Sequence, residues 1–404
     1  MKAFRLSNRY DGVEGGLFSK VTKADVGDGF ASMEGKVTLM GWADPFYPDP
    51  SIPPHIAEAM KRAIDSGFPS HYTMPIGSLE LREEMAKKLL AFNTIAADPR
   101  RNIIVTPGSD SGLYFALSAF IDPGDEVLVP DPSYPNNFLD VKLLGGRAVA
   151  VPLDRENNYH LDIGAFRRAL TEKTRAVVLT HPNNPTTTVF RRAELEALAA
   201  FIVENDLALV VDQAFEDSVF DGVEFVSPAS LPGMWERTIT VFSISKGMGL
   251  SGFRVGYLAA EEHIMDALYG AAVNVLGATN TLSQLAAIEA FRRPAFLKEN
   301  IAAFDRRRKD AFRILSKVPG VRMNLPESSF FSWIDVSALG DSSDLTELIL
   351  QKAGVAVNDG KAYGPHGAGG IRIIHGCLGN EGEACAALER IADVLSEQTP
   401  TISF

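Results

Sequence analysis

The chain has 404 residues, more than one hydrophobic core usually supports, so we expect two domains. Its formal net charge of −12 argues against nucleic acid or an anionic membrane as the main partner. The chain has two cysteines, too few for a disulfide framework, and their spacing does not fit a metal site. Together with the lack of a long apolar run or an apolar N-terminal stretch, they predict a cytoplasmic protein without a membrane span.

The middle of the chain alternates short apolar runs with segments of helical period. Helical period is clear in Ser111–Ile121, Asp162–Leu170 and Arg192–Glu204. This alternation predicts an α/β fold whose mainly parallel sheet is covered on both faces. The seven apolar runs, each of strand length, are Ile103–Val105, Glu126–Val129, Ala148–Leu153, Ala176–Leu179, Leu207–Val211, Thr238–Phe242 and Val255–Ala259.

The pattern changes after about residue 290, where we expect a smaller α+β domain. Helices are predicted at Phe296–Leu315, near Leu345–Lys352 and at Glu381–Ser396, and strands at Phe330–Val336 and Ile371–His375. The first ~45 residues have no strong period and are expected to join this domain. The predicted division therefore places residues 46–295 in the large domain and residues 1–45 and 296–404 in the small one.

Polar and small residues follow several predicted strands at the point where each strand ends. In an open parallel sheet these ends meet at one edge, which is where ligands bind. We therefore expect the following stretches to form one site. They are Ser109-Asp110-Ser111-Gly112, Asp131-Pro132-Ser133-Tyr134, Pro182-Asn183-Asn184-Pro185, Asp212 and Ser243–Lys246.

Lys246 lies in a small, hydroxyl-rich turn that is suited to a reactive amine. A lysine becomes nucleophilic when desolvation or nearby cations lower its pKa. Ser243 and Arg254 can donate hydrogen bonds to a phosphate, and the turn at Ser109 leaves backbone N–H groups free before a helix. Each feature alone is equally typical of an ordinary surface turn, so the prediction depends on their joint order along the chain.

Three further residues suit the chemistry of a flat, charged cofactor and a carboxylate substrate. Asp212, at the end of a buried strand, can pair with a protonated pyridine nitrogen. Tyr134 can stack on a flat ring, and Arg372 can bind a carboxylate bidentately. From the residues alone, a capping aspartate, a packing aromatic and a surface arginine remain open alternatives.

The stretch from Ser243 to Gly256, with Lys246 and Arg254 inside it, resembles the S-x-S-K…G-x-R-x-G signature of the class I/II aminotransferases. These belong to the fold-type-I pyridoxal phosphate superfamily, and the resemblance extends from about Leu39 to about Gly376. It implies a three-layer large domain with a mainly parallel seven-stranded sheet. It also implies pyridoxal 5'-phosphate as cofactor and transfer of an amino group from an L-amino acid to a 2-oxo acid.

The resemblance assigns a role to each candidate residue. Lys246 is implied to carry the cofactor as an aldimine and to act as general base, with Asp212 and Tyr134 as the other catalytic residues. Tyr72 is implied to reach the phosphate of a neighbouring subunit, which predicts a homodimer with shared sites. The implied cofactor-binding residues are Ser109, Asp110, Ser111, Tyr134, Asn184, Asp212, Phe215, Ser243, Lys246, Arg254 and Tyr72, and the implied substrate-binding residues are Gly41, Trp42, Asn184 and Arg372.

Phe215 departs from the family pattern. The family usually has a tyrosine there, which donates a hydrogen bond to the ring hydroxyl of the cofactor, and Phe215 has no such donor. Losing a donor to an ionised oxygen disfavours the charged form. We therefore predict a less acidic aldimine and a weaker visible absorption band at neutral pH than in typical members.

Two rival functions follow from the same residues. The first is a lyase on the same cofactor, since the Lys246–Gly256 stretch also looks like that of aminocyclopropanecarboxylate synthases, or an oxidative deaminase. The second is a non-catalytic binding protein that kept the fold. The amino donor is also open: Arg5, Arg9, Lys20 and Lys23 are candidate second cations for a dicarboxylate, and Tyr10, Phe18 and Trp42 are candidates for an apolar pocket.

Overall fold

The computed structural model describes residues 7–10, 37–47, 52–376 and 381–398. In chain order its strands are β1 (Thr38–Leu39), β2 (Ile103–Thr106), β3 (Glu126–Asp131), β4 (Arg147–Pro152), β5 (Thr174–Thr180), β6 (Ala208–Asp212), β7 (Thr238–Ser243), β8 (Gly256–Ala259), β9 (Phe331–Asp335), β10 (Val355–Ala356), β11 (Asn358–Asp359) and β12 (Gly370–Ile374).

The α-helices follow the predicted pattern closely. The predicted bounds match the observed ones for the helices Arg192–Glu204, Phe296–Leu315 and Glu381–Ser396, whereas the helix predicted at Ser111 begins at Ser109. The backbone at Gly108, with φ of 90°, ends the preceding strand and starts this helix early. The helices are α1 (Pro54–Ser66), α2 (Leu79–Lys88), α3 (Ser109–Leu117), α4 (Pro135–Leu143), α5 (Ile163–Ala169), α6 (Arg192–Glu204), α7 (Glu262–Val275), α8 (Thr281–Arg292), α9 (Phe296–Leu315), α10 (Ser342–Ala353) and α11 (Glu381–Ser396).

A seven-stranded sheet forms the centre of the large domain. Its strand order is β2-β8-β7-β6-β5-β3-β4. Strand β8 runs antiparallel to both neighbours, and the other neighbouring pairs are parallel. The prediction of an α/β fold with a mainly parallel seven-stranded sheet is therefore confirmed.

Helices cover both faces of this sheet because successive strand side chains point to opposite sides. Along β3, Val127 and Val129 pack in one apolar cluster with residues of α3, α4 and α7. Leu128 packs in another cluster with residues of α5 and α6. A further cluster joins α2 and α8 to Val105 and Phe242. These layers leave the carboxyl ends of the parallel strands as the open edge.

A smaller α+β unit surrounds a separate core. Strands β11, β12 and β9 form an antiparallel sheet in that order, and β1 pairs in parallel with β10. Met40 packs in this core with residues of β9, β12, α9 and α11. Much of the predicted segment 1–45 lies outside the described residues, so the domain bounds 1–45, 46–295 and 296–404 stay a prediction. In the parts of the chain that the structure describes, no helix has the length and apolar character that a membrane crossing requires.

Candidate active site

Five loops meet where β2, β3, β5, β6 and β7 end. Each follows the carboxyl end of its strand, and β8 runs the opposite way and so begins at the same edge. This arrangement brings together residues that lie more than 100 positions apart in the chain, such as Ser109 and Lys246. The predicted convergence of polar residues at one edge of the sheet therefore has a structural basis.

Lys246 follows β7 and is half-buried. Its Nζ donates a hydrogen bond to the backbone oxygen of Ala43 at 2.7 Å. Burial lowers the pKa of Lys246; the negative charge of Asp110 opposes this shift, and the positive charge of Arg372 adds to it. A lowered pKa increases the fraction of neutral amine, the form that attacks a carbonyl carbon.

A tight backbone contact shapes the pocket next to the N-terminus of α3. A Cβ added at Gly108 would collide with the guanidinium of Arg254, and one added at Gly256 would lie 2.7 Å from the backbone nitrogen of Ser109. Glycine at these positions therefore lets Arg254 and the first N–H groups of α3 lie side by side. Free N–H groups at a helix N-terminus and an arginine are ligands that a phosphate prefers.

Asp110 lies between two other predicted site residues. Its Oδ1 accepts a hydrogen bond from the Tyr134 hydroxyl at 2.9 Å, and its Oδ2 lies 3.5 Å from Arg254 Nη2. This carboxylate therefore fixes the direction of both side chains. The neighbouring Ser111 donates to the Pro107 carbonyl at 3.4 Å, and Ser243 Oγ accepts from the Ser245 backbone N–H at 3.1 Å.

Asp212 is a buried carboxylate at the end of β6, and 6% of its surface is exposed. Burial raises the pKa of Asp212 to about 7, even though its Oδ1 accepts a hydrogen bond from the backbone N–H of Ala214 at 3.1 Å. A nearby positive charge would return this pKa toward its ordinary value. Asp212 is therefore suited to pair with a cation that enters the site from outside the chain.

Phe215 lies in an aromatic cluster beneath the site. Its ring centroid is 5.9 Å from that of Phe330 and 5.2 Å from that of Phe331, the latter at an interplanar angle of 88°. The side chain is buried and brings no polar atom to the site. Phenylalanine in place of the family's tyrosine therefore leaves this side of the site without a hydroxyl group.

Arg372, on β12, is 2% exposed and held from several sides. Its Nε and Nη2 donate to Asn358 Oδ1 at 3.1 and 2.8 Å, and its Nη1 donates to Asn184 Oδ1 at 2.9 Å. Its guanidinium carbon lies 5.1 Å from the ring centre of Phe331 and 5.0 Å from that of Tyr363. These contacts orient a buried guanidinium.

Sequence reasoning missed the residues that hold the two basic side chains. Asn358 stands opposite Arg372 in the register of β11 and β12, but β11 has two residues and gives no periodic signal. Ala43 acts through its backbone oxygen, which no motif reveals. Asn358 also accounts for the glycine at position 41, because a Cβ there would lie 2.8 Å from Asn358 Nδ2.

The remaining predicted residues differ in their burial and in whether the structure describes them. Trp42 is half-buried beside Gly41, whereas Tyr72 is 92% exposed. Among the candidate donor-binding residues, Arg9 and Tyr10 are exposed in a short 3-10 segment. Arg5, Phe18, Lys20 and Lys23 lie outside the described residues.

Comparison with known proteins defines the class. The fold is that of the fold-type-I pyridoxal phosphate enzymes: aspartate aminotransferase from Thermus thermophilus, solved with maleate, superposes with a TM-score of 0.87 at 30% identity, covering 97% of this chain and 100% of that one. The family model for aminotransferase class I and II matches residues 37–391. The chain belongs to this family.

Curated relatives agree with this assignment. An aspartate aminotransferase from Pyrococcus abyssi is 37% identical over 358 residues, which cover 88% of this chain and 91% of the relative. Aromatic-amino-acid aminotransferase 2 from Thermococcus litoralis is 36% identical over 355 residues, covering 87% and 90%. The chain is a pyridoxal-phosphate-dependent aminotransferase that moves an amino group from an amino acid to a 2-oxo acid. The lyase and oxidative alternatives are not favoured.

Proposed function

We propose that Lys246 holds the pyridoxal phosphate of this aminotransferase as a Schiff base and that Asp212 and Arg372 complete its reaction centre. The observation that carries the proposal is that a half-buried amine and a buried carboxylate at one sheet edge lie within electrostatic reach of each other, with a buried guanidinium on β12 within reach of the amine. Lys246 follows β7 and Asp212 ends β6, both in the large unit, and Arg372 lies on β12 in the small unit. Removing ionisable groups from water costs free energy. Such groups are therefore found together mainly where they have a function, as in an active site.

The pocket fits the cofactor in its shape and donors. Ser109, Ser111, Ser243 and Arg254 would hold the phosphate at the N-terminus of α3, where Gly108 and Gly256 leave no space for side chains. Asp110 would orient this group through its contacts with Arg254 and Tyr134. Tyr134 would stack on the ring and Asn184 would lie near its hydroxyl, with Phe215 as the apolar wall.

The bound cofactor supplies an electron sink that stabilises negative charge at the substrate α-carbon. Asp212 would hold the pyridine nitrogen in its protonated form, because a carboxylate in a buried position strongly favours a paired cation. The Lys246 amine, free once the amino acid has taken its place on the cofactor, would remove the proton from the α-carbon and deliver it to the cofactor carbon to which the lysine had been attached. Burial lowers the pKa of Lys246, which increases the fraction of the neutral amine that can accept a proton.

Arg372 binds the α-carboxylate of the amino acid or 2-oxo acid. Two planar guanidinium N–H groups match two carboxylate oxygens, and Asn184 and Asn358 fix the plane of the guanidinium. Gly41 and Trp42 border the same space. The names of the relatives, aspartate and aromatic aminotransferases, make acidic and aromatic amino acids the first donors to test.

The active form is a homodimer in the cytoplasm. Tyr72 is 92% exposed in the single chain, which is unusual for a residue with a binding role, and pairing with a second chain would bring it to the partner's phosphate. The net charge of −12 agrees with small-molecule substrates rather than nucleic acid as partners.

Borohydride trapping tests the assignment. The holoenzyme is reduced and digested, and mass spectrometry should find the pyridoxyl group on the peptide that carries Lys246. Lys246→Ala should remove the adduct and abolish the conversion to the pyridoxamine form on addition of an amino acid. Lys87→Ala, at a 70% exposed lysine, is the matched control and should keep both. A trapped adduct elsewhere, or turnover in Lys246→Ala, would contradict the proposal.

A further inference from the structure

A second cavity lies behind the loop that carries Lys246. Its volume is about 1060 Å³, and Phe242, Ser243 and Met248 form part of its wall. Of the predicted site residues, only Ser243 is shared between this cavity and the reaction centre. Its volume is at the upper end of the range for small-molecule sites, about 300–1,000 Å³.

Aromatic and aliphatic side chains make most of the cavity wall, including Phe92, Phe220, Phe291, Leu297 and Ile301. The aromatic faces already interact with cations of the chain. Lys88 Nζ lies 5.1 Å from the ring centre of Phe92 and 4.7 Å from that of Phe242. A wall of this composition attracts apolar groups and tolerates positive charge.

Two neighbouring carboxylates at the cavity differ in how they are balanced. Glu216 is paired with Lys88 and accepts hydrogen bonds from Asn93 at 2.6 Å and Gln213 at 3.1 Å. Asp217 also lines the cavity but makes no hydrogen bond or ion pair within 4.0 Å among the described residues. Burial raises the pKa of both carboxyl groups, and the positive charge of Lys88 opposes this shift in each. Two acids therefore share one lysine, and Asp217 has no cation in direct contact within the described ranges.

The other acids of the cavity lining have their own partners. Glu84 pairs with Lys87 and Arg292, each at 3.0 Å. Asp221 pairs with Arg308 at 2.7 Å, and Asp305 pairs with Lys309 at 2.7 Å. Asp217 is thus the lining carboxylate that lacks a direct partner in the described chain.

Tyr257 supplies a second polar atom that lacks a partner. Its side chain lines the cavity and is 2% exposed, and its hydroxyl makes no hydrogen bond in the described structure. The ring is held in place by stacking on Phe242, with ring centres 4.6 Å apart and an interplanar angle of 14°. A buried hydroxyl without a hydrogen bond destabilises the fold, and a bound polar group would remove that cost.

We propose that this cavity binds a small organic cation, with an ammonium group beside Asp217 and the Tyr257 hydroxyl and an apolar body against Phe291, Leu297 and Ile301. A protonated amine donates hydrogen bonds and carries positive charge, so it satisfies the carboxylate and the hydroxyl oxygen together. A bound ammonium would return the pKa of Asp217 towards its ordinary value and pair with the ionised carboxylate, whereas a neutral or anionic ligand brings no positive charge to do so.

The site is distinct from the cofactor pocket but touches the same loop. A Cβ added at Gly247 would lie 2.5 Å from Asp217 Oδ2, so the proposed ammonium site lies next to the residue that follows Lys246. A ligand bound beside Asp217 would therefore lie close to this loop. The chain alone forms this cavity, whichever residues hold the cofactor.

Calorimetric titration of the holoenzyme tests the site. The probe is N,N-dimethyl-2-phenylethylamine, a tertiary amine that is protonated at pH 7.5 and cannot form a Schiff base. We expect saturable binding that weakens at least about tenfold in Asp217→Asn, a change equivalent to about 1.4 kcal/mol. Tyr257→Phe should weaken it by a smaller factor, and 2-phenylethanol, which has a similar apolar body without charge, should bind at least about tenfold more weakly.

Two control variants distinguish this site from general electrostatics and from the reaction centre. Glu299→Gln removes one exposed charge next to the cavity residue Lys298, and Arg372→Lys alters the proposed substrate site; both should bind the probe as the wild type does. Circular dichroism and melting profiles of each variant must match those of the wild type. If Asp217→Asn does not fold, the loss of probe affinity in Tyr257→Phe is the test of the site. Absence of saturable binding, or equal affinity for the charged and neutral probes, would overturn the proposal.

Discussion

Arg372 Nη1 donates a hydrogen bond to Asn184 Oδ1 at 2.9 Å, and both side chains are buried. The contact joins β12 in the small unit to the loop after β5 in the large one, 188 positions apart in the sequence. Residues proposed to hold the substrate carboxylate and the cofactor ring therefore share one hydrogen-bonded group. A change at either residue should affect the position of both ligands.

Arg372→Lys should lower kcat/KM for the amino-acid half-reaction by about ten- to hundredfold, because hydrogen bonds to a charged group contribute about 1.5–3 kcal/mol. A lysine ammonium cannot present two parallel N–H groups to a carboxylate. Stopped-flow absorbance over a range of amino-acid concentrations measures the effect. Arg306→Lys, at a side chain 57% exposed, is the control; equal rates in both variants would exclude Arg372 from substrate binding.

Phe215→Tyr should strengthen the visible absorption band of the holoenzyme at neutral pH. The added hydroxyl would donate to the ring oxygen of the cofactor and stabilise its ionised form, which lowers the pKa of the Schiff base. A pH titration of the absorbance in wild type and variant measures the direction. Phe220→Tyr, in the same aromatic cluster, serves as control. An unchanged or higher midpoint in Phe215→Tyr would reject the prediction.

The fold was predictable from the sequence because it follows from local patterns. Apolar runs bounded by Gly, Pro and Asp indicated the strands, and the carboxyl-end rule indicated where the candidate site lies. In contrast, Asn358 was not predictable, because its contact with Arg372 depends on the register of a two-residue strand. The Ala43 carbonyl was missed for a related reason, since backbone atoms have no sequence signature.

Tyr72→Phe should weaken cofactor binding by about ten- to hundredfold, because the variant loses one hydrogen bond to a charged phosphate across the proposed dimer interface. Cofactor dissociation, followed by fluorescence, measures the change, and light scattering measures the dimer mass. Tyr10→Phe, at a tyrosine 66% exposed in the same chain, should leave affinity unchanged. A wild-type holoenzyme that is monomeric, or a Tyr72→Phe variant that binds the cofactor as tightly as the wild type, would exclude a cofactor site shared between two subunits.

Asp212→Asn should stabilise the cofactor-free chain at alkaline pH and destabilise its cofactor complex. Burial raises the pKa of Asp212 from 3.8 to about 7 in the folded chain, so the folded state holds this proton more tightly than the unfolded state. The free energy of unfolding of the wild type therefore falls as the pH rises from about 4 to about 7, by an amount on the order of 2–4 kcal/mol from this group. Asparagine has no such dependence.

Urea unfolding of both apoproteins at intervals from pH 4 to pH 8 measures the difference. The advantage of Asp212→Asn should grow through this range and level off near pH 8, whereas Asp65→Asn, at an exposed aspartate, should show no trend. With cofactor bound the order should reverse, because the carboxylate is then paired with the ring nitrogen. A constant difference between pH 4 and pH 8 would mean that Asp212 keeps an ordinary pKa in the folded chain.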